Sequence, residues 1–264
     1  MADTSRVGAG RAGEAGAPLF AVGRPDLVLV LTAFAAGAVD AISYVGLGHV
    51  FTANMTGNTV LLGLALGQVQ GLASVRSLAA LAGFALGVMA GALLVEGIAE
   101  PGARARAIRR AVALEGGILA ALALAWFAAG AQPAGGGLYG LITLAALAMG
   151  IQSAAVRRIG VAGVATTYIT GTLTSLCAGL VARTRAVRLP PHPDRAAPPP
   201  GDAAKAVATS HQDLHLPAAV LVTYGLGAVA SGVVLEHWPS CAALPPFVAV
   251  ALALAEASLR PSAR

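Results

Sequence analysis

The chain has 264 residues, 57% of them hydrophobic and 11% charged, with a mean hydropathy of +0.76. Soluble domains carry about 25% charged residues, so this chain has too little charge to cover a soluble globule, and the composition points to a multi-pass membrane protein. A net charge of +5 could suggest nucleic acid. The Arg residues, however, sit in gaps between apolar runs, as in cytoplasmic loops. The lipid bilayer is therefore the expected partner, and nucleic acid is not.

Residues 1–25 are rich in Gly and Ala and carry Arg6, Arg11 and Arg24, which reads as a disordered cytoplasmic tail. Four apolar runs follow, at about 27–47, 51–68, 76–96 and 111–131, and these make a first membrane repeat over 26–132. Four more, at 136–156, 162–182, 215–236 and 242–259, make a second repeat over 133–260, ahead of a short tail at 261–264. Segment 183–214 interrupts the second repeat with Arg183, Arg185, Arg188, Arg195, Lys205 and dense proline, the composition of an extended cytoplasmic loop.

Within the first repeat, Asp40 lies inside an apolar run, where an acid is costly and is expected to face protein or water. It reads as the charge-bearing member of a site, a proton relay or a ligand for a cationic solute, or as an acid near the span end bonded to helix hydroxyls. Just beyond it, Thr52, Asn54, Thr56, Gly57 and Asn58 break the hydrophobic chain in Phe51-Thr-Ala-Asn-Met-Thr-Gly-Asn58. Gly57 is expected to supply backbone freedom there, and the hydroxyls and amides to bond groups freed where a helix unwinds. A weaker copy, Ala165-Thr-Thr-Tyr-Ile-Thr-Gly-Thr172, recurs 114 residues later, so both breaks read Thr-x-x-x-Thr-Gly. Thr166, Thr170 and Gly171 of the copy, with Gln152 just before it, complete the candidate binding set.

Charge decides between two topologies. If all eight runs span in a 4+4 parallel repeat, 11 of the 17 Lys and Arg residues fall inside. If 51–68 and 162–182 instead enter and leave on one side, 16 of the 17 fall inside and only Arg76 lies outside. The positive-inside rule favours the second. The expected fold is thus an all-α polytopic bundle of about six spans plus two broken or re-entrant helices. Three spans per half make it a 3+3 inverted repeat, an arrangement common among secondary transporters. Both termini are then cytoplasmic.

The remaining features read as structural. Gly83, Gly87 and Gly91 line one helix face as a packing ridge, internal or towards a second copy in a homo-oligomer. His49, Glu96 and Glu115 are placed near span ends at the interface, and Glu236-His237-Trp238 at an outer one. Cys177 and Cys241 are isolated and read as small buried hydrophobes. Catalytic signatures, metal-ligand spacings and cofactor loops are missing, so no catalytic residue, metal or cofactor is expected and the protein is not read as an enzyme.

Val39-Asp-Ala-Ile-Ser-Tyr44 with Val50-Phe-Thr-Ala-Asn-Met-Thr-Gly-Asn58, and Met149-Gly-Ile-Gln-Ser-Ala-Ala-Val-Arg-Arg158 with Val164-Ala-Thr-Thr-Tyr-Ile-Thr-Gly-Thr172, resemble the two signatures of the YoaK family of bacterial membrane proteins. The resemblance runs from about 25 to 260, with Ser153 standing where the family often has Asn. It implies an inner-membrane protein of roughly six spans, and no activity, substrate or cofactor. The leading expectation is a transporter or channel for a small solute or ion, with its site between the two Thr-x-x-x-Thr-Gly segments. A non-transporting assembly partner or sensor is the alternative, and an intramembrane enzyme the third.

Overall fold

The computed structural model describes residues 25–159, 165–167, 169–188 and 214–259. Helix α1 (Pro25–Gly46) leads through a polar turn to the short α2 (Met55–Gly67), then to α3 (Gly71–Val95) and α4 (Pro101–Ala128). The second half repeats the order with α5 (Gly135–Ile159), α6 (Ile169–Arg188), α7 (His215–His237) and α8 (Leu244–Leu259). The described residues contain only helices and connecting turns.

Among the described residues six helices are long and apolar enough to cross a bilayer: α1, α3, α4, α5, α7, and α8 together with the 3-10 turn Pro239–Cys241 before it. The 13 residues of α2 rise about 20 Å, short of the ~30 Å hydrocarbon core. Helix α6 ends in Arg183, Arg185 and Arg188 and is not among the six. The protein is therefore a polytopic helical bundle, with six candidate spans among the described residues and two further helices, α2 and α6, at the breaks.

The packing is duplicated. Helix α3 lies against α5 as α7 lies against α1, α4 meets α5 as α8 meets α1, and α2 packs on α3 as α6 packs on α7. Glycines set the two main contacts. Gly150 abuts the backbone carbonyl of Phe84, and Gly37, 113 residues earlier, abuts that of Tyr224. Gly87 meets the carbonyl of Leu147, and Gly227, 140 residues later, meets that of Phe34. At each contact a Cβ would collide with main chain, so close approach requires glycine.

Helix directions identify the kind of repeat. Gly83, Gly87 and Gly91 step along Thr143, Leu147 and Ile151 in the same order, so α3 and α5 are parallel. Helices α1 and α5 are antiparallel. The amide Nε2 of Gln152 donates to the Thr32 carbonyl at 3.0 Å, whereas a parallel pair would set Thr32 level with Ala145, seven residues or about 10 Å of rise away. A two-fold that relates antiparallel helices lies across them, in the membrane plane, which is the inverted repeat. Helices α1 and α5 form its centre and are the most buried spans. Leu86, Met89 and Leu93 of α3 and Val222, Leu226 and Val229 of α7 face outward, as a lipid-covered surface requires.

Several sequence expectations change. The ridge Gly83, Gly87 and Gly91, read as internal or towards a second copy, is internal: it is covered by α5 of the same chain and is buried. Helix α4 starts at Pro101, where Glu100 caps it by accepting from the amides of Gly102 at 2.7 Å and Ala103 at 2.5 Å. The Arg104–Arg110 cluster is therefore helical, and Glu115 falls at mid-helix rather than at an interface, fully buried. Glu96 does sit at a helix end and pairs with Arg158 at 2.5 Å. Cys177 is exposed and Cys241 only half-buried. Helix α6 runs on to Arg188, six residues into the expected loop. The rest of that loop up to 213, and the tails 1–24 and 260–264, lie outside the described residues.

Candidate functional site

Asp40 lies six residues before the end of α1 and is buried. Its Oδ1 accepts from the amides of Thr52 at 2.8 Å and Ala53 at 2.7 Å, with Asn54 at 3.4 Å. Its Oδ2 accepts from the Tyr224 hydroxyl at 2.6 Å. The carboxylate thus holds the amides that the break leaves without a helical partner, and it links α1, the break and α7. It stands behind the wall of the site rather than in it. A bond of 3.0 Å between the Ser43 and Thr52 hydroxyls closes the same corner.

The first break is also clasped across itself. Asn58 accepts from the Phe51 amide at 2.9 Å and donates to the Phe51 carbonyl at 2.5 Å. Asn54 caps α2 by accepting from the Gly57 amide at 3.2 Å. Gly57 has ordinary helical geometry, so the backbone freedom expected of it is not what the fold uses. Any side chain there would strike the Phe51 ring and the Asn54 amide. Phe51 stacks on Tyr44, whose edge meets His49 in the turn after α1.

The second break reproduces the clasp with different chemistry. Thr172 Oγ1 accepts from the Ala165 amide at 3.0 Å and donates to the Ala165 carbonyl at 3.0 Å. These two residues are 114 positions beyond Asn58 and Phe51. Gln152 donates to Thr166 at 2.9 Å, and the Ser153 and Thr167 hydroxyls meet at 2.6 Å. Ser153 is the counterpart of Asp40, 113 residues on, and among the described residues no charge anchors this side.

Both breaks open onto one cavity of about 620 Å³. Asn54, Met55 and Thr56 form one wall, and Thr166, Thr167 and Thr170 the facing one. Phe84 and Tyr224, equivalent aromatics of α3 and α7, lie between them, and Ser153 and Arg157 of α5 complete the polar lining. Of the sequence-derived candidates, Asn54, Thr56, Thr166 and Thr170 reach the cavity. Asp40, Thr52, Gly57, Asn58 and Gln152 support the breaks from behind, and Gly171 sits in the first turn of α6. The amino ends of α2 and α6 both lie at the cavity, so their partial positive charges favour electron-rich groups there.

Sequence reasoning left Phe84, Ser153, Arg157, Thr167 and Tyr224 out of the site and misplaced Glu115. Tyr224 and Phe84 carried a legible signal: Phe84-Ala-Leu-Gly87 and Tyr224-Gly-Leu-Gly227 are a second duplicated motif. For Glu115 the signal was Glu100-Pro101, a helix start ten residues ahead of the apolar run. Glu115 has no hydrogen-bond partner for either carboxyl oxygen among the described residues and does not line the cavity. Among the described residues no three His, Cys, Asp or Glu gather as a metal site would need.

These features are those of a polytopic membrane protein with two polar breaks around a common cavity. The chain belongs to the family described as "Protein of unknown function (DUF1275)", whose pattern it matches over residues 28–255. It is similar to UPF0700 transmembrane protein YoaK of Bacillus subtilis (strain 168), with 55% identity over 56 residues. That match covers 21% of this chain and 25% of the relative's length. No solved structure matches the chain.

Proposed function

We propose that the protein is a transporter or channel for a small solute or ion, whose site is the cavity between the two Thr-x-x-x-Thr-Gly segments. The observation that carries this reading is the shared cavity: two breaks 114 residues apart in sequence wall one 620 Å³ space inside a bundle of spans. Irregular backbone at membrane depth is tolerated where it lines a cavity, and inverted repeats with broken helices are the architecture in which one central site can be opened to either side in turn.

The test is flux in proteoliposomes over a panel of ions and small polar solutes. Thr56→Val with Thr170→Val keeps side-chain size and removes one hydroxyl from each wall. Transport by the wild type, reduced at least about tenfold in the double variant, is expected; equal fluxes for every solute would sink the site. We place the protein in the bacterial inner membrane with both termini cytoplasmic, since 16 of its 17 Lys and Arg residues then lie inside. Cysteine labelling checks the orientation: Gln70→Cys should be reached from outside and Pro198→Cys from inside.

A further inference from the structure

We infer that the cavity takes an anion. This rests on reading the cavity as a solute site and names the class of solute. Arg157 is the one charged side chain in its lining, and no acid lines it among the described residues. Arg157 has no ion-pair or hydrogen-bond partner among them, in contrast to its neighbour Arg158, which is engaged by Glu96 outside the cavity. Asp40, behind the first break, does not line the space: its Oδ1 accepts from the break amides and its Oδ2 from Tyr224. What faces the space is a set of groups able to donate, namely the Arg157 guanidinium, the hydroxyls of Thr56 and Thr170, one hydroxyl of the mutually bonded Ser153 and Thr167, and the Asn54 amide. A cation would meet the positive charge of Arg157, whereas an anion would pair with the only charged side chain of the lining among the described residues. The amino ends of α2 and α6 add the same sign.

The planar fork of Arg157 suits a carboxylate, phosphate or other oxyanion better than a spherical halide. Such a group could be a free solute or a lipid headgroup, and the test separates them. The full chain is placed in nanodiscs of phosphatidylcholine, and thermal unfolding is followed against sodium chloride, nitrate, acetate, sulfate and phosphate at matched ionic strength. A second series varies the cation with the anion fixed, and a third adds neutral polyols. Saturable stabilisation by at least one oxyanion is expected. It should weaken about tenfold or more in Arg157→Gln, stay largely intact in Arg157→Lys, and be unchanged in Arg158→Gln. If stabilisation instead appears only when phosphatidylglycerol is added to the disc, and is lost in Arg157→Gln, the anion is a headgroup.

Saturable binding of a cation or polyol alone, or oxyanion binding that survives Arg157→Gln, overturns the inference and leaves the solute site standing. No saturable response to any probe overturns both. Oxyanion binding without flux removes the transport reading and keeps the ligand class.

Discussion

The two breaks hold the same shape with unequal anchors. Asn58 on Phe51 and Thr172 on Ala165 make the same pair of bonds to the same backbone positions, one through an amide and the other through a hydroxyl. Behind the clasps they part. The first break is fastened to two spans by a buried carboxylate and a phenol, the second by neutral contacts from Gln152 and Ser153. Phe84 stands where Tyr224 does in the other half and has no hydroxyl to contribute. The comparison teaches that duplication preserves what the main chain needs, an acceptor and a donor across seven residues, while the groups that set local stability are free to diverge. Charge-assisted bonds are roughly twice as strong as neutral ones, so the first break should be the firmer half of the site.

The sharpest way to break this comparison is to remove the charged anchor. Asp40→Leu strands the Thr52 and Ala53 amides and the Tyr224 hydroxyl and should cost about 3 kcal/mol or more, read as unfolding in detergent by loss of helicity. Ser153→Ala on the other side should cost about 1 kcal/mol; equal losses would show that the breaks are anchored alike. The shared part of the design is tested by Gly37→Leu and Gly150→Leu. Each drives a side chain into a facing carbonyl and should destabilise by about 2–3 kcal/mol, with the two values similar if the halves are equivalent.

Gln152→Leu removes the amide that joins Thr32 of α1 to Thr166 and should cost about 1–2 kcal/mol. Its effect should appear as faster hydrogen exchange in 165–172 and not in 51–58. Tyr224→Phe makes the first half resemble the second at one atom and should cost about 1 kcal/mol, an amount that should vanish in an Asp40→Leu background. The smallest effect is expected from Asn58→Thr, which gives the first clasp the chemistry of the second. A loss under about 1 kcal/mol fits interchangeable clasps; a loss as large as that of Asp40→Leu would mean that the clasps are not equivalent.

Much of the architecture was legible because membrane burial writes itself locally. Long apolar runs marked the spans, and the Thr-x-x-x-Thr-Gly copies marked the breaks. Arginine placement gave the inverted order that the Gln152–Thr32 bond bears out. The misreadings share a cause. Glu115 was placed by the start of its apolar run, yet a capped helix begins where its amides are satisfied, at Glu100 and Pro101. Gly83, Gly87 and Gly91 were read correctly as a packing face, but no pattern in one helix says whether the covering helix belongs to the same chain. Gly57 is a glycine for lack of space beside Phe51, a reason that exists only once the ring is in place.

By itself, then, the sequence determined the class of protein, the six spans, the two breaks and their duplication, because each follows from hydrophobicity and polarity along a few turns of chain. Only the tertiary structure decided that Asp40 is a fastener, that Tyr224 from 184 residues away completes it, that Arg157 faces the cavity unpaired while Arg158 does not, and that both breaks share one space. Those outcomes depend on which helix faces meet, and glycine contacts between helices far apart in sequence, α3 with α5 and α1 with α7, set that.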